Sequence, residues 1–210
     1  MRTGINLSVY EIIAVLGLTV FLSLTGVMMP GPVFAATVVK GSEDAKAGIP
    51  IALGHGVIEF PLMVGVFYAA SWLEDSWLLA VIGVVGGLFL LLMGYQMIRF
   101  REGEGEEYMP YSSFVTGMVT TLTNPYFFLW WATVGFSLIV MASAYGVIVI
   151  IVFAVVHWSC DLAWDTLVSY TVNRSKKFWT PRTRTGVFVV CGGLLIVFGF
   201  YFIVSGFIGF

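Results

Sequence analysis

Charge is what this sequence has least of. Only 10% of its 210 residues are Asp, Glu, Lys or Arg, against about 25% in soluble domains. With 59% hydrophobic residues and a mean hydropathy of +0.97, a soluble domain is excluded. The chain reads as an integral membrane protein. Cysteine is scarce too: Cys160 and Cys191 form no CxxC pair, which removes a redox relay and leaves small buried side chains. No GxxxxGK[ST] loop occurs, so ATP is not the direct energy source of any transport. Segments of about ten residues alternating apolar and polar are also missing, which argues against a closed barrel.

What the chain does have is apolar length. Runs extend over Ile12–Val39, Ala47–Leu73, Trp77–Ile98, Ser112–Met141, Tyr145–Thr171 and Val187–Ile208. About 20 helical residues cross a hydrocarbon core of about 30 Å, so six spans are expected. The first run is too long for a cleaved signal peptide and is read as a span. Lys40 and Lys46 flank the connection after span 1, and Arg99 and Arg101 follow span 3. Arg174, Lys176, Lys177, Arg182 and Arg184 precede span 6, leaving only Arg2 opposite. Positive residues stay cytoplasmic, so the loops after spans 1, 3 and 5 face the cytoplasm of a cell (plasma) membrane and both termini lie outside.

Ionisable groups inside such spans are costly and mark function. At about 1.5 Å per residue from Ala47, Glu59 lies roughly 18 Å deep, near the midplane. His55 stands one turn before it on the same face. His157 and Asp161 repeat the spacing in span 5, and Asp165 adds a further turn. Asp161 is about 15 Å and Asp165 about 9 Å from the cytoplasmic end, so Asp165 is expected in a vestibule. Pro61, directly after Glu59, is expected to free backbone carbonyls near that site.

Two spans are interrupted. Pro30-Gly31-Pro32 breaks span 1, and a second half-helix starting near Pro32 would offer free N–H groups on Val33, Phe34 and Ala35 to an anion. Thr123-Asn124-Pro125 breaks span 4, after a run of hydroxyls able to satisfy the backbone that Pro125 frees. The aromatic stretch Tyr126–Trp131 reads as core or interface. Trp158 and Trp164 read as packing, as do the glycines of spans 3 and 6. The acidic, Gly-rich stretch Glu102–Glu107 reads as a solvated linker.

The two halves correspond: a proline-broken span, a span bearing His-x-x-x-Glu/Asp, then a Gly-punctuated span. Three spans per half invert the second copy. The expected fold is therefore all-α, with six transmembrane helices as two inverted three-helix repeats in a single domain over 1–210. The first repeat covers about 8–98, the linker about 99–111 and the second about 112–210. Broken helices with a midplane site between inverted repeats are a plan of secondary transporters.

Met29-Pro30-Gly31-Pro32, Gly48 and Gly54 leading to Glu59, and Leu122-Thr123-Asn124-Pro125 resemble the LysE/RhtB exporters across all six spans. The family commonly has Gly-Asp where this chain has Ile58-Glu59, and Asn-Pro-Lys where it has Tyr126. The resemblance implies export of amino acids or related metabolites by an ion gradient, in a dimer or other homo-oligomer.

On this reading Pro30, Gly31, Pro32 and Val33 take a substrate carboxylate, while Asn124 and Pro125 line the site with Glu59 and Asp161. His55, Glu59, His157, Asp161 and Asp165 serve proton or ion coupling, the two histidines because imidazole titrates near neutral pH in water. The partners expected are a small-molecule substrate, a proton or sodium ion and the lipid bilayer, with no nucleic acid, no cofactor and no resident metal. A divalent-metal exporter is the alternative, because two His and two carboxylates suit Zn²⁺. An intramembrane metal-dependent enzyme on the same four residues is the third class.

Overall fold

The computed structural model describes residues 3–29, 31–69, 76–99, 111–175 and 180–208. The helices are α1 Thr3–Val27, α2 Pro32–Glu43, α3 Gly48–Ala69, α4 Ser76–Arg99, α5 Ser113–Leu122, α6 Pro125–Trp130, α7 Phe136–Ser143, α8 Val147–Arg174 and α9 Pro181–Ile208. A π-helical turn, Trp131–Gly135, joins α6 to α7. No strand occurs among the described residues. The linker 102–107 lies outside them, as does Pro30.

Among the described residues, four helical stretches are long and apolar enough to cross a membrane: Val9–Val27, Gly48–Ala69, Pro125–Ser143 and Val147–Arg174. The spans expected third and sixth correspond to α4 and α9, which carry shorter apolar stretches, Val84–Gln96 and Gly192–Ile208. Bulky apolar side chains such as Phe21, Ile148 and Phe207 stand outward, each more than 60% exposed. That is a surface for lipid rather than water.

Both expected interruptions are present, and proline opens the second piece each time. Pro32 and Pro125 occupy the first turns of α2 and α6, where a missing N–H costs nothing. The caps differ. Asn124 accepts the Tyr126 N–H at 3.1 Å, whereas Gly31 gives α2 no side-chain cap. The last turn of α1 is tied to α6 through the Thr25 carbonyl, which accepts the Tyr126 hydroxyl at 3.2 Å. A carbonyl released by a helix end needs such a donor.

Pro61 does not break α3. The carbonyl it deprives, four residues back at Val57, belongs to an outward-facing residue that is 47% exposed, while Glu59 points inward. The expected freed backbone at the site is therefore absent, because two helical residues, about 200° of rotation, put Val57 and Glu59 on opposite faces.

Small residues set the packing. The α4 and α9 helices run antiparallel, with Gly87 against the Gly199 carbonyl, Gly94 against that of Gly192, and Gly206 against that of Ala80. Seven-residue spacing brings these positions to one seam, where any Cβ would strike backbone. Gly54 on α3 and Gly117 on α5 make a reciprocal crossing, each over a carbonyl of the other helix, those of Phe114 and Ile51. A methyl at Gly54 must push α5 away. Overpacking costs about 1–3 kcal/mol, more than the ~1 kcal/mol an Ala gains over Gly in a helix. Gly54→Ala is expected to lower the midpoint of thermal unfolding in detergent, measured by loss of monodisperse protein on heating. An unchanged or higher midpoint would contradict the crossing.

Candidate functional site

The two helices that carry the buried histidines and carboxylates, α3 and α8, meet at one place. On α3, His55 and Glu59 are 6% and 1% exposed, and on α8, His157, Asp161 and Asp165 are equally buried. Glu59 is the hub. Its Oε1 lies 3.1 Å from His55 Nε2 and 3.1 Å from His157 Nε2, and accepts the Trp131 indole N–H at 3.1 Å. Asp161 stands beyond the imidazoles, its Oδ1 3.7 Å from His55 Nε2 and its Oδ2 3.7 Å from His157 Nε2. Two carboxylate oxygens, Glu59 Oε2 and Asp161 Oδ2, are buried without a hydrogen-bond partner. Asp165 lies a turn away, its Oδ1 accepting from the Thr37 hydroxyl at 3.2 Å.

The outer nitrogens of both rings are engaged. His157 Nδ1 is 2.6 Å from Ser23 Oγ, and His55 Nδ1 is 2.7 Å from Thr121 Oγ1. Thr121 donates its own proton to the Gly117 carbonyl at 2.7 Å, so it accepts from His55 Nδ1–H. The neutral form of His55 then turns a lone pair on Nε2 toward a carboxylate oxygen. Two lone pairs 3.1 Å apart in a buried site require a proton or another cation between them. The sequence offers no Lys or Arg for that purpose between Lys46 and Arg99 or between Arg101 and Arg174.

Aromatic rings wall the cluster. Trp130 stacks on His157 with centroids 4.9 Å apart and planes 27° off, and Trp131 meets the same ring edge-on at 4.9 Å. Phe127 approaches His55 edge-on at 5.2 Å. These rings stand on α6, which starts afresh at Pro125, and at the first residue of the π turn that follows it. Gly135 makes room for it, since a Cβ there would collide with the Trp131 ring.

A cavity of about 60 Å³ opens beside the cluster, with room for several waters. It is lined by Gly31, Val33 and Phe34 from α2, Asn124 from the second break, and His55, Glu59, His157, Asp161 and Asp165. Eight of the expected site residues thus share one space. Pro32 and Pro125 do not line it; they start the helices behind it. Pro30 falls outside the described residues. Asp165 lines this cavity too and is 4% exposed. Of the three amides expected free at α2, that of Ala35 is already bonded to the Gly31 carbonyl at 2.9 Å. The fourth amide of a helix reaches its N-cap carbonyl, which the sequence expectation overlooked.

Sequence reasoning missed Ser23, Thr37, Thr121 and Trp131. Thr121 and Trp131 lie in stretches noted for other reasons, and nothing in their spacing signals contact with α3 or α8. Only the tertiary pairing does.

Buried ionisable residues on membrane-crossing helices, around a cavity that two helix breaks open, define a membrane protein with a polar site inside its span. Residues 24–206 match the family described as LysE type translocator, and the chain belongs to that family. It is 27% identical over 208 residues to the threonine efflux protein of Salmonella typhi, covering 87% of this chain and 94% of that one. The threonine efflux protein of Escherichia coli (strain K12) is 27% identical over 209 residues, with the same coverage. A shorter match, 32% identical over 97 residues, is to a protoheme IX farnesyltransferase of Methylorubrum populi and spans 41% of this chain and 31% of that protein. No solved structure matches. Membership in a translocator family makes this a transporter, not an enzyme, and the intramembrane-enzyme reading is dropped.

Proposed function

We propose that this chain exports an amino acid or a similar small metabolite, driven by a proton or sodium gradient, through a midplane site between two inverted three-helix repeats. The observation that carries the proposal is the shared cavity: the uncapped start of α2 and the buried acids of α3 and α8 open into it together. The positive end of α2 suits a carboxylate. Glu59 and Asp161 suit an amino group or the coupling ion. Gly31 also packs on Asn124, with 3.5 Å left for a Cβ, so the two breaks are neighbours. The pairing of α1 and α2 with α8, matched by that of α5 and α7 with α3, supports the repeat.

The relatives named for threonine efflux make threonine the first solute to test. A metal cargo stands behind it for the same reason. Proteoliposomes holding the purified chain should move threonine, or another amino acid from a panel, against its gradient when a pH or sodium gradient is imposed. Collapse of one gradient and not the other names the ion. No movement of any amino acid under either gradient would overturn the proposal.

The topology has its own test. With Cys160 and Cys191 replaced by Ala, a cysteine substituted at Gly105 is expected to resist an impermeant thiol reagent added outside intact cells, because the basic loops are cytoplasmic. Rapid labelling from outside would invert the assignment.

A further inference from the structure

The cluster has a feature that carrying a substrate amino group does not explain: its donor atoms are placed as metal ligands. We propose that His55, Glu59 and Asp161 form a binding site for a divalent transition metal of the zinc class, with His157 holding Glu59 in place. The proposal stands apart from the transport reading, since metal binding is measured on the purified chain whether or not it exports.

Four observations carry it. The first is spacing. One ligand atom from each of the three residues lies within 4.8 Å of the others. His55 Nε2 is 3.1 Å from Glu59 Oε1 and 3.7 Å from Asp161 Oδ1. Tetrahedral bonds of about 2.0–2.2 Å place neighbouring donors about 3.3–3.6 Å apart, and the two distances lie on either side of that range. The second is orientation. A ligating imidazole gives its other N–H to an acceptor, and His55 Nδ1–H already has the Thr121 oxygen. Ligating carboxylates are hydrogen-bonded in turn, and Glu59 receives Trp131 and His157. The third is the pair of oxygens Glu59 Oε2 and Asp161 Oδ2, buried and without a hydrogen-bond partner. Such atoms are costly unless something binds them. The fourth is charge: Glu59 and Asp161 are two buried acids, and the sequence holds no Lys or Arg between Lys46 and Arg99 or between Arg101 and Arg174 to offset them, so a divalent cation would balance the pair.

The donor set chooses among metals. Imidazole with two carboxylates suits Zn²⁺ or Co²⁺, whereas Mg²⁺ and Ca²⁺ prefer all-oxygen shells with more ligands. Three protein ligands leave a fourth position toward the cavity, as in zinc sites that exchange ligands rather than closed structural ones. A metal there would pin α3 to α8 and occupy the place of the coupling ion.

The purified full-length chain, stripped with chelator in detergent, is titrated with Zn²⁺ and separately with Co²⁺. The expected result is one equivalent per chain, with the intense visible absorption of tetrahedral Co²⁺. His55→Ala and Asp161→Asn should abolish stoichiometric binding. His157→Ala should weaken it by about 10–100-fold, the usual effect of losing a group that orients a ligand. Asp44→Asn, at an exposed turn, should bind as wild type. Absence of stoichiometric binding by wild type, the weak spectrum of six-coordinate Co²⁺, or full binding by His55→Ala would each overturn the site. The cobalt spectrum of the wild type decides the matter even if a variant fails to fold.

Discussion

Glu59→Gln is expected to insert and fold normally yet to lose all export against a gradient. The side chain keeps its size and an oxygen to accept from Trp131 and His157, both 3.1 Å from Oε1 in the native site. It loses the charge, and with it any hold on a proton, a sodium ion or a metal. One elementary charge moved through 100 mV supplies about 2.3 kcal/mol, enough for about a 50-fold solute ratio. In proteoliposomes under that driving force the native chain should approach such a ratio. Glu59→Gln should stay at equality. Asp161→Asn should lower the ratio without abolishing it, because Asp161 stands 3.7 Å from the imidazoles while Glu59 touches both. Native uphill export in both variants would remove the cluster from the mechanism. Flux down a gradient separates this outcome from misfolding, since a folded, uncoupled carrier still equilibrates its solute.

How much of this was legible beforehand depends on the kind of signal. Proline and glycine write their consequences locally, so the breaks before Pro32 and Pro125 could be read from the chain. The His-x-x-x-Glu and His-x-x-x-Asp pairs were legible because a helix fixes four-residue neighbours and a bilayer makes their burial expensive. That the two pairs converge on one oxygen was not, because the angle at which α3 meets α8 is set by remote close approaches such as Gly48 over the Asp165 carbonyl. The consequence of Pro61 was misjudged by its proximity in sequence to Glu59; the helix turns its lost bond outward. Trp131 shows a further limit. Its ring reaches Glu59 from the first residue of a π turn, and a single sequence gives no period for such a turn. Ser23 and Thr121 looked like ordinary hydroxyls, and their role is set by which proton each has left to give.

Gly31→Leu is expected to block substrate capture while leaving the fold intact. Gly31 has an extended backbone, φ −153° and ψ −169°, which any residue adopts, so leucine introduces no strain in the chain. Its first carbon also fits, 3.5 Å from Asn124 Nδ2. The three carbons beyond it would extend beside the cavity that Gly31 lines. They would cover the start of α2, where our reading seats the substrate carboxylate. Hydrogen bonds to a charged group contribute about 1.5–3 kcal/mol, so apparent affinity should fall about 10- to 100-fold. Gly31→Ala, which stops at the first carbon, should transport nearly as well as the native chain. The pair of variants therefore separates filled space from altered backbone. Initial export rates over a range of internal substrate, with detergent-solubilised yield and elution profile as the fold check, measure both. Native affinity in Gly31→Leu would mean that the break at Gly31 only bends the helix, and that the carboxylate binds elsewhere.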